Sequence, residues 1–329
     1  MKRLMLMLAL VAPTAAAVAT DVAPSSYTPT PEQRALAAAL PLLAPPPGRN
    51  VYPLLNTFGD ESIGADERKV FCPADANSCL DHARKHEAAI RVVLDKHPVV
   101  LAKVESIANY DIWWNTNEPL FDAPLIPRIT PLQLWPADAA LRFVGGDEVG
   151  GLSKACTAAA TFRRMHAHTN TMIDHGATLL VAQRSMKLSM EMLAAKSPST
   201  PVPAMCGQAF LPPTAADVDF RAAAGFEAAV SANMAQTQAL PGMQYLNIGP
   251  LSALAGKDAQ DAMLAGRALS AAAVDIAPFE PERLNGDGSL IPELRRQYVA
   301  YITQLMERSA GYVTLLRKGG DALQASKAP

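Results

Sequence analysis

A single apolar stripe constrains this chain more than any other feature. Phe162, Met165, His168, Met172, His175, Leu179, Ala182, Met186 and Met190 recur at steps of three and four residues. Such spacing places them all on one face of an α-helix, held for more than six turns. A face of that length cannot stay in water, so the rest of the chain must supply the surface that covers it. The pattern predicts helix from Val149 to Lys196, with Gly176 as the point where it bends or divides.

The remaining elements follow from their boundary signals. Thr30-Pro31-Glu32 opens a helix that Pro41 and then Pro45-Pro46-Pro47-Gly48 close,. Asn77/Ser78 opens another that runs to His97, and Pro98 separates it from a helix over Val99–Asn109,. Tyr110–Pro131 is broken by four prolines and reads as irregular, and Pro136–Val144 is a short helix stopped by Gly145-Gly146,. Five prolines mark 197–213 as a loop, after which Thr214, with Asp217 three residues on, caps a helix reaching Leu240,. Asp258–Ile276 is a further helix. The last begins at Ser289, with Leu294, Tyr298, Tyr301, Leu305, Tyr312 and Leu316 on one face and Arg317-Lys318-Gly319 as its stop,. Strand alternation is confined to the short Gln244–Ile248. Aromatic residues are only 6% of the chain, while Ala, Leu and Met are plentiful, which favours helices over a β-sandwich. The expected fold is all-α, eight or nine helices packed as an irregular bundle with little or no sheet.

The first nineteen residues have another purpose. Lys2 and Arg3 precede nine apolar residues, Leu4–Ala12, then Pro13 and an Ala17-Val18-Ala19 cleavage site, the three-part layout of a secretory signal. That core is shorter than the roughly 20 residues of a bilayer anchor. The expected organisation is therefore a signal over 1–19 and a Pro/Ala-rich segment with a short helix over 20–48. A helical domain over 49–329 follows, with possible subdivision near 197–213. Removing Lys2 and Arg3 leaves 27 basic and 31 acidic residues, a net charge of −4. With no basic cluster, nucleic acid is not an expected partner. No membrane span is expected after cleavage, and the expected destination is the periplasm or the medium.

Export gives the four cysteines their meaning. Cys72, Cys79, Cys156 and Cys206 form an even set, which in an oxidising compartment reads as disulfides. Three connectivities exist. The turn between Cys72 and Cys79 favours that local pair, leaving Cys156 for Cys206. Cys72 and Cys79 with His82 and His86 are also zinc-type ligands, but six intervening residues exceed the usual spacing.

Three stretches carry chemical-looking residues. Met165, His168, Met172 and His175 share a face and are soft-plus-imidazole ligands suited to copper, although the same stripe continues as a packing seam,. Trp113, Trp114 and Trp135, with Glu118 among them, are a candidate glycan-stacking surface with Asp111, Glu118 or Asp122 as acids; alternatively, the tryptophans pin a long loop,. Phe143–Val149 resembles the Gly-Gly-Asp-Glu-Phe loop of diguanylate cyclases, in which the glycines approach nucleotide phosphates and the acids handle metal. Val149 departs from that pattern, and a glycine turn with Asp147 capping the next helix accounts for the same residues,. Asn285–Ser289 misses calcium-loop spacing because Leu290 occupies the glycine position,. No cofactor and no catalytic constellation are expected.

Gly48-Arg49-Asn50, Tyr52, Leu54-Leu55, Cys79-Leu80 and Cys156 with Phe162-Arg163-Arg164 resemble a group of uncharacterised exported helical proteins of proteobacteria. That resemblance implies export and helices, and no activity. The expected function is a binding or accessory/scaffold protein of the cell envelope, partnered by another envelope protein or a cell-wall component. The alternatives are an envelope hydrolase or glycan binder and a periplasmic copper binder.

Overall fold

The computed structural model describes residues 42–58, 63–73, 76–119, 129–219, 222–223, 225–226, 229, 308–309 and 311–326. The signal, the Thr30–Pro41 helix, the Asp258–Ile276 helix, the Gln244–Ile248 stretch and Asp122 lie outside these residues.

The described residues are all-α. Eight helices, α1 (Tyr52–Asn56), α2 (Cys79–Lys85), α3 (Glu87–Lys96), α4 (Pro98–Ser106), α5 (Leu134–Val144), α6 (Glu148–His166), α7 (Met172–Ala195) and α8 (Ala204–Ala209), are followed by α9 over 311–325. Among the described residues there is no strand, only the isolated parallel bridges Asn50–Ile112 and Trp113–Thr169. Nor is any described helix long and apolar enough to cross a membrane.

The long stripe is two helices rather than one. It breaks over 167–171, between α6 and α7, and Gly176 lies inside α7. Met165 and Met172 are seven residues apart, about two helical turns, so the stripe keeps its phase across the turn and reads as unbroken. Thr171 starts α7 by accepting from the backbone N–H of Asp174, and its hydroxyl donates to Asp174 Oδ2 at 2.8 Å. The two helices pack against each other as a hairpin. Phe162, Met165, Met172, His175, Leu179, Ala182 and Met186 are fully buried along it.

The other helices clothe this hairpin. α5 packs on α6, where the Trp135 and Phe162 rings meet edge-on at 6.1 Å. The link between them is three residues. Gly146 takes φ 96°, and the N–H groups of Gly146 and Asp147 donate to the carbonyls of Phe143 and Arg142 at 3.2 and 3.0 Å. That pattern closes a helix with a left-handed residue, which glycine adopts at no steric cost. Asp147 then caps α6 by accepting from the Gly150 N–H.

The helix expected from Ser78 to His97 also divides, at His86, whose φ −116° and ψ 21° separate α2 from α3. α2 packs on α5 and α7, and α3 and α4 pack on α5. Thr214 and Asp217 form the expected capping box, but around a 3-10 turn, Ala215–Val218.

Both expected disulfides are present. Cys72–Cys79 and Cys156–Cys206 join Cα atoms 5.3 and 4.8 Å apart, within bonding range. The thiolates required for the zinc alternative are thereby consumed. Cys156–Cys206 fastens α8 to α6.

Gly319 does not stop the last helix, which continues to residue 325. The glycine serves a close approach instead: a Cβ there would lie 2.1 Å from Phe210 Cδ1. Gly319→Ala is expected to lower stability by about 1–3 kcal/mol through overpacking, read as a shift in urea midpoint. An unchanged midpoint would show that Phe210 swings away freely.

Candidate functional site: the hairpin tip and the Arg184 cleft

The turn between α6 and α7 gathers several of the residues singled out from sequence. The Trp113 N–H donates to the His168 carbonyl at 3.2 Å. The Asn115 N–H donates to Asn170 Oδ1 at 2.6 Å, and Asn170 Nδ2 returns a bond to the Asn115 carbonyl at 2.9 Å. These contacts fasten the tryptophan loop to the tip of the hairpin. Trp113, Trp114 and Trp135 are 0%, 6% and 2% exposed, so the indoles sit inside the protein as anchors and no stacking face is turned to solvent. Glu118 is exposed, and Asp111 is held by its bonds with Arg49.

The tip encloses two histidines. His166, the last residue of α6, and His175, in the first turns of α7, are both 0% exposed with ring centroids 3.9 Å apart. The Tyr312 ring from α9 stands edge-on to His166 at 5.4 Å. Thr178 spends its hydroxyl proton on the carbonyls of Asp174 and His175. His166 Nδ1, 3.3 Å from the Thr178 oxygen, is therefore the donor between them, and the lone pair of neutral His166 is on Nε2. That Nε2 has no hydrogen-bond partner.

Burial governs the charge state here. Desolvation pushes the His166 imidazole down to about 4, against the opposing pull of the Asp217 carboxylate. His175 is pushed well below the ordinary range by burial first and by His166 second. Burial and then the charge of Asp174 hold the Tyr52 phenol up to about 12. Both imidazoles are neutral at pH 7. Beside them, Arg163 forms a two-pronged pair with Asp217, both bonds 2.9 Å, and donates to the carbonyls of Ala209, Leu211 and Pro212. A nearly buried charge pair needs such saturation to offset its desolvation.

The four copper candidates are separated by the break in the stripe. Met165, Met172 and His175 are buried, whereas His168 lies exposed in the turn. Among the described residues no three His, Cys, Asp or Glu side chains form a metal-sized group. His166, not His168, occupies the buried position, because α6 ends at His166 and the helical step fails beyond it.

A second place has the shape of a ligand site. Between α2, α5 and α7 lies a cleft of about 40 Å³, lined by the Cys72–Cys79 disulfide, Phe71, Ile90, Pro136 and Leu188, with His82, Gln133 and Arg184 as its polar groups. Its walls are set by Glu191 of α7. That carboxylate accepts the Ser78 hydroxyl and the N–H groups of Cys79 and Leu80 at 2.9, 3.2 and 2.8 Å, pinning the start of α2 to α7. His82 Nε2 donates to the Val70 carbonyl at 2.9 Å.

Arg184, two turns before Glu191, is partly buried in this lining. Among the described residues no acceptor bonds to its guanidinium. Burial and the positive charge of Arg308 both lower its pKa. The Gln183 Nε2 donates to the Arg308 carbonyl at 2.7 Å, which ties the backbone at residue 308 to α7. Nothing in the sequence marks Arg184: it is one arginine within a helical run.

Compared with known families, with characterised proteins and with solved structures, the chain has no match.

Proposed function

We propose that this chain is an exported binding protein of the cell envelope and that its ligand enters the cleft between α2, α5 and α7. The observation that carries this reading is the partly buried Arg184 in the lining of a mostly apolar concavity. Ligand sites are mostly apolar hollows with a few polar groups that orient the guest. Two disulfides, one in the cleft wall, support an oxidising compartment,. The apolar, proline-closed start of the chain supports export through a cleaved signal,. A structural partnership with another envelope protein or a cell-wall component belongs to the same reading, with the cleft as the place of contact.

The test has two arms. Expressed from Met1 in a Gram-negative host, the protein is expected in the periplasmic fraction with its N-terminus at Thr20 and no free thiol. In ligand-observed NMR against anionic, neutral and cationic fragments, at least one class should bind saturably. Ala137→Leu, which fills the cleft, should abolish that binding. Protein retained in the cytosol with Met1 intact overturns export, and fragments that ignore Ala137→Leu overturn the cleft.

A further inference from the structure

Arg184 is a partly buried cation in the lining of the cleft. A guanidinium taken partly out of water needs compensation, and the carboxylate nearest in sequence on its own helix, Glu191, is already committed to the start of α2. The other charge that acts on Arg184 is Arg308, of the same sign. The cleft is therefore electropositive on one side and apolar on the other.

We propose that the cleft binds a carboxylate carrying a short apolar tail, an inference that rests on the reading of this cleft as the ligand site. Arg184 is the binding residue and Gln133 its neutral companion. The planar fork of a guanidinium matches the two oxygens of a carboxylate with a pair of parallel N–H bonds. A monoanion balances the one arginine that lines the cleft. A phosphate dianion would leave a second charge among Phe71, Ile90 and Leu188 with no cation in the lining to meet it,. Size sets the tail. Since a water needs ~10–15 Å³ of such space, a cleft of about 40 Å³ takes about three to four heavy atoms, a carboxylate and its first carbon,. A longer tail emerges at the mouth. A free short-chain acid and the carboxyl terminus of a peptide both present this group.

Isothermal titration of the mature, disulfide-bonded protein distinguishes the cases. The probes are butyrate, butyramide, butylamine, inorganic phosphate, and acetyl-alanyl-alanine as the acid and as the amide. Butyrate or the dipeptide acid should bind, and its amide counterpart at least about tenfold more weakly. The tighter of the two acids identifies the source as free acid or peptide terminus, and either supports the proposal. Arg184→Gln should weaken the acid by about tenfold or more, while Arg184→Lys, which keeps charge but not the fork, retains an intermediate affinity. The unfolding midpoint of each variant verifies its fold. If Arg184→Gln does not fold, Ala137→Leu should abolish acid binding with the charge untouched.

Butyrate and butyramide binding equally, both indifferent to Arg184→Gln, would overturn the carboxylate and leave the cleft a ligand site. Phosphate binding without butyrate binding would do the same. If no probe binds, the carboxylate and the cleft fall together.

Discussion

Replacing Cys156 and Cys206 together by serine is expected to lower the unfolding free energy by about 4 kcal/mol, and replacing Cys72 and Cys79 by about 2 kcal/mol. The bridges close separations of 50 and 7 residues. In the chain-entropy model the cost removed from the unfolded chain rises with the logarithm of that length. Burial points the same way: Cys156 and Cys206 are 0% exposed, so serine also places two hydroxyls in an apolar interior. The longer bridge holds α8 to α6, and α8 leads directly into the carbonyls of Ala209, Leu211 and Pro212 that saturate Arg163. Loosening it should therefore disturb the buried Arg163–Asp217 pair as well. Thermal melting is expected to fall by about 10 °C for the long bridge at this chain size. An alanine pair separates the entropic part from the hydroxyl cost. Equal losses for both bridges, or a larger loss for Cys72 with Cys79, would show that native packing at α8 does not depend on the link.

The helices and the disulfides are legible in the sequence because their signals are local or few in number. Ser78 and Thr214 sit at starts that the structure keeps, and four cysteines allow only three pairings. Where the sequence misleads, two physical effects coincide. The α6–α7 turn is hidden because the stripe resumes in phase after it, although Thr171-x-x-Asp174 is a helix-start signature within the stripe,. Gly176 and Gly319 look like breakers, yet each lies within a helix; at 319 the demand is for space beside Phe210, which no local pattern records. The site was less legible than the fold. His168 falls on the apolar face by spacing, but the helix ends two residues earlier and His166 takes the interior. Arg184 carries no motif at all. Its meaning comes from what surrounds it: Glu191 engaged elsewhere, Arg308 beside it, and a concavity made by three helices distant in sequence.

Acid should destabilise this protein over a pH range that carboxylates alone do not explain. His166 and His175 are neutral when folded, with His166 at about 4 and His175 below the ordinary 6.5. The unfolded chain, with ordinary imidazoles, binds protons that the folded chain refuses as pH falls below about 6.5. Stability is therefore full above that pH and declines as pH drops towards the folded values, at about 1.4 kcal/mol per unit for each histidine. The groups around them set the slope without reversing it. Asp217 and the backbone groups of His175 and Asp217 favour the His166 imidazolium, and the two imidazoles oppose each other's protonation. Half-buried carboxylates such as Glu67, held down to about 2 by the Lys96 ammonium and the Gly64 N–H, lose their contribution only at lower pH. Chemical denaturation from pH 8 to 4 should show the decline beginning near 6.5. His175→Gln, whatever its cost at pH 8, should flatten it by about one proton's slope. A stability that stays level down to pH 5 would mean that water reaches the tip and that the two rings are charged without strain.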